Sequence, residues 1–326
     1  MSQFLSHSAG EDAYFLRPDS AGVADGVGGW AGVKGANPAY YAACLLHHAS
    51  NEMAKYDLGL TDDLDPSPTI ETHRDHLVGL PPIALQWSRV DPRQILFRAA
   101  GRIPRKVVGS STAVIAAIRG EELRLANLGD SGARLFRYTQ PILDPSVASK
   151  QPKPTQNKPV FAPSRAARHQ RPHQVFLPFP PFLAKVHGGK GYQCLLRTQD
   201  QTHSFNFPFQ LGTGSSNTAQ DADNYTFPVQ ESDMVVLGTD GLFDNLFDND
   251  LAHELEKWQM EGRPEGVQGV AQRIAQRAQE VSRDKRAVTP FNTAAYEEGI
   301  LFQGGKMDDI TVVVLHIKEG DSPDRR

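Results

Sequence analysis

Hydrophobic positions along the chain predict more β-strand than helix. Two segments, Glu122–Leu128 and Ala133–Tyr138, alternate polar and apolar residues, which is typical of strands with one buried face. Other segments are continuous apolar runs, most of them rich in β-branched residues, and predict buried strands. The longer runs are Ser111–Ile118, Asp233–Thr239 and Thr311–Ile317, and two shorter candidates near the start are Ala13–Arg17 and Gly22–Ala24.

Helical patterns are fewer. The pair Asn37-Pro38 combines a capping residue with a proline suited to a first turn, and predicts a helix through about Lys55. Two more helices are expected over Asp250–Met260 and about Pro264–Arg283, where apolar residues recur at helical spacing in the second. Strands and helices come in blocks rather than in strict alternation, which favours an α+β layered architecture over a doubly wound parallel sheet.

Charge and proline distinguish one internal segment from the rest of the chain. Residues 145–199 contain nine Lys or Arg, nine Pro and no Asp or Glu. Proline at that density prevents helices and central strands. We therefore predict one domain over residues 1–326, interrupted at about 139–190 by an extended or disordered basic insert. The insert is either a solvated spacer or a docking surface for acidic or phosphorylated partners.

Bulk composition excludes several classes of protein. The chain has no run of about 18 apolar residues, so no membrane span is expected. The net charge of −4 gives no indication of a nucleic-acid partner. The two cysteines, Cys44 and Cys194, have no metal-type spacing and are expected to be reduced thiols. The first residues do not form a signal peptide or a good transit peptide, and we expect a soluble intracellular protein.

Carboxylates stand repeatedly where a predicted strand meets a loop. One such aspartate beside a glycine is a common turn residue, but repetition along the chain suggests that the side chains converge on one pocket. The candidates are Glu11 and Asp12 (GEDAYF), Asp25 (VADGVGGW), Asp130 (LANLGDSG), Asp240 (VVLGTDGLFDN), and Asp308 and Asp309 (GGKMDDITVVV).

Such a pocket would require cations. Carboxylates held close together repel one another and tend to protonate, and divalent ions remove that cost. Oxygen-only ligation selects hard ions such as Mg²⁺ or Mn²⁺ over zinc. Histidine offers no competing site, because His47-His48 point to different faces of a helix and neither His73 nor His76 has a suitable partner.

In order along the chain, six motifs resemble the metal-dependent Ser/Thr protein phosphatases, the protein phosphatase 2C family. The motifs are GED (10–12), ADGVGG (24–29), GSSTA (109–113), ANLGDSG (126–132), TDGLFDN (239–245) and DDIT (308–311). The forms ADGVGGW, PFQL and TDGLFDN are similar to the mitochondrial and plastid branch. The resemblance covers nearly the whole chain outside the insert.

The resemblance implies a fold and a set of metal ligands. The implied fold is a β-sandwich of two antiparallel sheets flanked by helices, with α-β-β-α layers and the metals in a cleft at one end. By position, Asp25 would bridge two ions and the Gly26 carbonyl would bind one of them, while Asp240 and Asp308 would complete the set. Glu11 and Asp12 would hold waters of the ions. Asp130, with Asp240, would match a weaker third-metal site.

The implied activity is hydrolysis of phosphoserine or phosphothreonine on proteins, by a water that bridges two Mn²⁺ or Mg²⁺ ions. The expected partners are phosphoprotein substrates, and the protein is expected to be a monomer. The branch implies a mitochondrion or plastid, although no presequence is visible.

Two positions depart from the family pattern. His7 stands where many members have an arginine that binds substrate phosphate. Val27 stands where many have a histidine proposed as the general acid, and valine cannot donate a proton. These departures leave two alternatives open: a catalytically weak or inactive member that acts as a regulatory binding protein, and a hydrolase of small phosphate esters.

Overall fold

Strands and helices occupy most of the chain that the computed structural model describes, namely residues 6–30, 32–57, 90–139 and 191–318. In chain order the strands are β1 (His7–Ala9), β2 (Asp12–Leu16), β3 (Ser20–Asp25), β4 (Ser110–Ser111), β5 (Ala113–Arg119), β6 (Glu122–Leu128), β7 (Gly132–Thr139), β8 (Gly191–Arg197), β9 (Thr202–Ser204), β10 (Phe207–Pro208), β11 (Leu211–Gly212), β12 (Asp223–Pro228), β13 (Met234–Gly238) and β14 (Val312–His316). The helices are α1 (Pro38–Asp57), α2 (Pro92–Gly101), α3 (Asp240–Phe243), α4 (Asp248–Met260), α5 (Gly266–Arg283) and α6 (Pro290–Glu297).

Two antiparallel sheets form the centre of the molecule. The larger sheet has the strand order β1-β2-β3-β5-β6-β12, and the smaller has the order β14-β13-β7-β8. Short ladders, β9 with β10 and β4 with β11, lie outside these sheets. Because successive side chains of a strand point to opposite faces, each sheet has two faces to cover.

Three clusters of buried apolar residues show how those faces are covered. Alternate residues of β5, Ala113, Ile115 and Ala117, join the cluster that includes α1 and α2. The residues between them, Val114 and Ala116, pack in the cluster between the two sheets. A third cluster packs the outer face of the smaller sheet against α3, α4 and α5. The layers are therefore helix, sheet, sheet and helix, which confirms the predicted α+β sandwich.

The predicted elements are present, with boundaries that differ by a few residues. The one predicted strand that is interrupted is Ser111–Ile118, because Thr112 leaves the ladder between β4 and β5. The Thr112 N–H donates instead to the Asp25 carbonyl, at 2.9 Å. The helix predicted from Asn37-Pro38 starts at Pro38, and the Asn37 side chain accepts a hydrogen bond from the Tyr40 N–H.

Most of the predicted insert lies outside the described residues, which include Thr139 at its start and Gly191 directly after it. Thr139 and Gly191 are cross-strand partners at the end of the β7–β8 ladder. The Thr139 hydroxyl donates to the Gly191 carbonyl at 3.2 Å. Thr139 and Gly191, at the two ends of the predicted insert, are therefore adjacent in the smaller sheet.

Cys44 is a buried free cysteine and Cys194 is a partly buried one. Within the described ranges, none of the helices combines the length and the apolar composition that a bilayer crossing requires.

Candidate active site

Two neighbouring strands of the larger sheet bring the first carboxylates together. Asp12 begins β2 and Asp25 ends β3, and the two residues are directly opposite each other in the antiparallel ladder. Cross-strand partners of this kind have Cβ atoms only about 5 Å apart. Two acidic side chains are therefore held at the same end of the sheet by backbone pairing alone.

The backbone after Asp25 is packed too closely for any residue but glycine. A Cβ on Gly26 would lie 2.6 Å from the Glu11 carbonyl oxygen and 2.8 Å from that of Pro38. The Gly26 N–H donates to the same Glu11 oxygen at 3.1 Å. The ADG motif thus fixes Asp25 against both the β1–β2 turn and the start of α1.

Thr112, the residue that interrupts the β4–β5 run, holds Asp25 from the other side. Its N–H donates to the Asp25 carbonyl at 2.9 Å, and its hydroxyl accepts from the Asp25 N–H at 3.1 Å. The same hydroxyl is 2.7 Å from the Ser131 hydroxyl. This chain of contacts links Asp25 to the turn that carries Asp130.

The smaller sheet contributes Asp240. This residue follows β13 and starts α3, with Thr239 at the helix cap position. The Thr239 hydroxyl donates to Asp12 Oδ2 at 2.8 Å and accepts from the Thr311 N–H at 3.1 Å. Thr239 therefore links the two sheets at the point where their acidic ends meet.

Asp308 and Asp309 lie in the loop before β14, next to the GED motif at residues 10–12. The Asp309 carboxylate accepts a hydrogen bond from the Glu11 N–H at 2.8 Å. A Cβ on Gly241 would overlap the Asp309 carbonyl oxygen, so the glycine of TDG is required for this approach. The GED, TDG and DDIT motifs, far apart in sequence, meet here.

The structure brings Asp25, Asp130 and Asp240 into one group, which we call the three-aspartate cluster. One carboxylate oxygen of each lies within 4.8 Å of those of the other two, a spacing that could hold a metal ion. Asp130 Oδ1 and Asp240 Oδ1 are buried and have no hydrogen-bond partner within the described part of the chain. Buried carboxylate oxygens without a donor are costly, so this arrangement requires a cation or protons.

Burial and mutual repulsion disfavour the ionised carboxylates. Burial, followed by the charge of Asp240, raises the pKa of both Asp25 and Asp130 well above the ordinary range. Burial also raises the pKa of Asp12 to about 7, although hydrogen bonds from Thr311 and Thr239 oppose the shift. Burial, Asp309 and Asp308 raise the pKa of Glu11.

A lysine stands beside this cluster, and the sequence did not single it out. Lys306 Nζ lies 2.6 Å from Asp240 Oδ2, 2.7 Å from Asp244 Oδ2 and 3.3 Å from Asp308 Oδ2. We call Lys306 with these three aspartates the lysine cluster. Burial alone would lower the pKa of Lys306, but the charges of Asp244 and Asp240 outweigh it and raise that pKa, so the ammonium stays protonated.

Asp244 and Asn245 also belong to the site and were not predicted as site residues. Burial raises the pKa of Asp244 to about 7, against the opposing charge of Lys306. The available signal was spacing, because Asp240 and Asp244 are four residues apart in TDGLFDN and share one face of a helical turn. Lys306, two residues before Asp308 in a glycine loop, carried no comparable signal.

The two positions that depart from the family pattern are His7, on β1, and Val27, directly after Gly26. His7 is exposed on β1, and its ring stacks on Tyr14 with centroids 5.1 Å apart. Val27 follows Gly26, and its N–H donates to the Ser110 carbonyl at 3.1 Å. Neither contact supplies a fixed positive charge or a proton donor to the site.

Comparison with known proteins gives relatives of one kind. Probable protein phosphatase 2C 55 of Arabidopsis thaliana is 30% identical over 313 residues, which are 95% of this chain and 48% of that protein. Protein phosphatase PTC7 homolog of Homo sapiens is 28% identical over 324 residues, 95% of this chain and 80% of that protein. The chain spans about half the length of the plant relative. No protein-family model matches the chain.

A solved structure agrees with this grouping. The X-ray structure of the photosystem II phosphatase PBCP superposes with a TM-score of 0.62 and 26% sequence identity, over 95% of this chain and 92% of that one. The layered arrangement of two sheets and flanking helices is thus shared with a phosphatase.

Proposed function

We propose that the chain, whose relatives are named protein phosphatases 2C, is a metal-dependent protein serine/threonine phosphatase of that family, and that it hydrolyses phosphoserine and phosphothreonine on proteins with two bound Mn²⁺ or Mg²⁺ ions. The single observation that supports this most is the three-aspartate cluster, with its carboxylate oxygens within 4.8 Å of one another. Carboxylate oxygens this close together, two of them buried and without a hydrogen-bond partner among the described residues, would be stabilised by bound cations.

The donor set fits hard divalent ions. All the oxygens come from carboxylates or from backbone carbonyls, which Mg²⁺ and Mn²⁺ prefer. Asp130 and Asp240 each have a buried oxygen that no described residue contacts by a hydrogen bond, and these oxygens are available as ligands. Asp25, the Gly26 carbonyl, Asp240 and Asp308 would hold the two ions.

Two such ions, when bound, would lower the pKa of a water between them and neutralise charge on the phosphoryl oxygens. The protein's own residues fix the geometry. Thr112 holds the backbone of Asp25 in place through two hydrogen bonds, one from its N–H to the Asp25 carbonyl and one from the Asp25 N–H to its hydroxyl. Thr239 aligns Asp12 with the start of α3. Glu11 and Asp12 would hold waters of the ions, and Asp130 lies with Asp240 in the three-aspartate cluster.

In the reaction, a water oxygen forms a bond to phosphorus in line with the breaking bond. The bond from phosphorus to the seryl or threonyl oxygen breaks and that oxygen takes up a proton, while the attacking water releases one proton to solvent. Because Val27 cannot supply the proton, we assign it to solvent in the site. A general acid typically contributes about 10²–10⁴-fold, so turnover on an alkoxide leaving group should be slower than on a phenolate.

Phosphoproteins are the proposed substrates. The support is the family of relatives, which carry protein phosphatase names, and the basic insert predicted between β7 and β8. We further propose a mitochondrial or plastid location, from the similarity of the ADGVGGW and TDGLFDN motifs to that branch. Imaging of the full-length protein with a C-terminal fluorescent tag would test the location.

The deciding experiment measures phosphate release from a phosphothreonine peptide and from p-nitrophenyl phosphate, with Mn²⁺, with Mg²⁺ and with excess EDTA. We expect turnover of both substrates with either ion and none with EDTA. Activity that persists in EDTA would overturn the two-ion proposal. Tight Mn²⁺ binding without turnover of either substrate would favour the regulatory binding protein instead. Turnover of p-nitrophenyl phosphate alone would favour a small-ester hydrolase.

A further inference from the structure

Lys306 lies in a loop, yet its side chain makes several contacts within the acidic site. Its ammonium reaches Asp240, Asp244 and Asp308, and it lies 5.0 Å from the centroid of the Phe291 ring. Only 14% of its side chain is exposed. A solvent-exposed lysine loses few contacts when its side chain changes conformation. If Lys306 moved, its ion pairs with Asp240 and Asp244 would be broken.

The backbone of Lys306 is fixed as firmly as its side chain. Asn245 Oδ1 accepts from the Lys306 N–H at 3.0 Å, and Asn245 Nδ2 donates to the Lys306 carbonyl at 2.9 Å. The same amide nitrogen donates to the Gly241 carbonyl at 2.8 Å. Asn245 is itself almost fully buried, with 1% of its surface exposed. One side chain thus connects the lysine to the helical turn that begins with Asp240.

The two oxygens of Asp240 have different environments. Oδ2 accepts from Lys306 Nζ, while Oδ1 is buried and has no hydrogen-bond partner among the described residues. Asp240 thereby joins the lysine cluster through one oxygen and has the other free for an ion in the three-aspartate cluster. The protein already provides the positive charge on the Asp244 side of Asp240.

We propose that Lys306 is a resident cation that takes the place of a third metal ion beside Asp240 and Asp244, so that the site binds two exchangeable ions. This inference rests on the proposed metal-dependent function. It makes Lys306 a positioning residue, which holds Asp240 and Asp308 in ligand geometry without contacting substrate. It also revises the earlier expectation of a third-metal site, because one of its two residues, Asp240, already contacts Lys306 through Oδ2.

Counting bound ions tests this directly. Equilibrium dialysis of the whole protein against ⁵⁴Mn²⁺ at pH 7.5 gives the number of ions per chain without any assay of activity. We expect two for the wild type. Lys306→Ala should bind three, because removal of the ammonium leaves space and uncompensated charge between Asp240 and Asp244. The double variant with Asp244→Ala should return to two.

Three further variants separate charge from folding. Lys306→Arg keeps the charge and should still bind two ions. Lys306→Gln removes the charge with a smaller change in volume and should bind three, which provides a second test if the alanine variant does not fold. Lys257→Ala removes an exposed lysine of α4 and should bind two. Circular dichroism of each variant confirms that the fold is retained.

Each result has a distinct meaning. Three ions in the wild type, or two in both Lys306→Ala and Lys306→Gln, would overturn the role of Lys306 and leave the proposed function intact. Two ions bound more tightly in the variants would show that the lysine competes with an ion, which also overturns it. No Mn²⁺ bound by the wild type would overturn the proposed function together with this inference.

Discussion

The two acidic clusters share Asp240 but balance their charge in opposite ways. The lysine cluster contains its own cation, with Lys306 Nζ at 2.6 Å from Asp240 and 2.7 Å from Asp244. In the three-aspartate cluster, one carboxylate oxygen of each residue lies within 4.8 Å of those of the other two, and Asp130 and Asp240 each have a buried oxygen without a partner among the described residues. The difference locates the exchangeable charge, because an ion should bind where the protein has not supplied one.

Substitution at the shared residue should have the largest effect. Asp240→Asn removes a negative charge from both clusters, and we expect a loss of roughly two or more orders of magnitude in Mn²⁺-dependent turnover of p-nitrophenyl phosphate. Mn²⁺ affinity should fall with it. Steady-state kinetics and isothermal titration calorimetry would measure the two effects.

Asp250→Asn is the matched control, since Asp250 caps the start of α4 through the Phe247 N–H and contacts neither cluster. It should retain wild-type kinetics. A near wild-type rate for Asp240→Asn would mean that Asp240 is a turn residue only.

Substitution at Asp244 should have a smaller effect and would sharpen the comparison. Asp244→Asn weakens the hold on Lys306 but removes no proposed ligand of the two ions. We expect turnover to fall by no more than about tenfold, equivalent to ~1.4 kcal/mol of activation free energy. The Mn²⁺ count per chain should stay at two. A loss as large as that of Asp240→Asn would show that the two clusters are a single unit.

Stability of the metal-free protein should depend on pH because of the same charges. Burial raises the pKa of Asp12 and of Asp244 to about 7 in the folded protein. The folded state therefore binds more protons than the unfolded state between about pH 4 and pH 7. A rise in pH through that window should lower the free energy of unfolding, on the order of a few kcal/mol in total.

Urea unfolding at pH 5, 6, 7 and 8 would measure how the free energy of unfolding of the metal-free protein changes with pH. Saturating Mn²⁺ should flatten it, because ions stabilise the ionised carboxylates, and Asp12→Asn should reduce it without metal. Metal-free stability that increases from pH 5 to pH 8 would contradict the assigned directions.

The sequence predicted the three-aspartate cluster better than the lysine cluster. Asp25, Asp130 and Asp240 could be singled out because each stands at the end of a recognisable strand or within two residues after it, beside a glycine, and the ends of neighbouring strands lie together in a sheet. Lys306 could not, since its contacts with Asp240 and Asp244 span more than 60 residues of sequence. Lysine in a glycine loop is usually solvated, so composition gave no reason to place it in the site.

The strength of the local sequence signal also determined which strands and helices were predicted. The buried strands were predicted because their apolar runs are long, whereas β8 to β12 are short or polar and lie at edges or in loops. Helix α2 was missed although Asp91-Pro92 is the same kind of signal as Asn37-Pro38, and the Asp91 side chain does cap it.

The smallest effect is expected far from both clusters, in the predicted insert. Deletion of about residues 145–181 should change turnover of p-nitrophenyl phosphate by less than about twofold, since a shorter connection costs little entropy to close. The ends of the segment are already adjacent, at Thr139 and Gly191. If the insert docks substrates, KM for a phosphoprotein should rise, as measured by phosphate release. A large fall in melting temperature would show that the segment contributes to the core.

Anomalous diffraction at the manganese edge, from a crystal grown with Mn²⁺, tests the central claim most directly. The account predicts peaks in contact with Asp25, one of them shared with Asp240, while Lys306 Nζ remains between Asp240 and Asp244. A manganese peak at the position of the Lys306 ammonium, or no peak within ligand distance of Asp25 and Asp240, would contradict it.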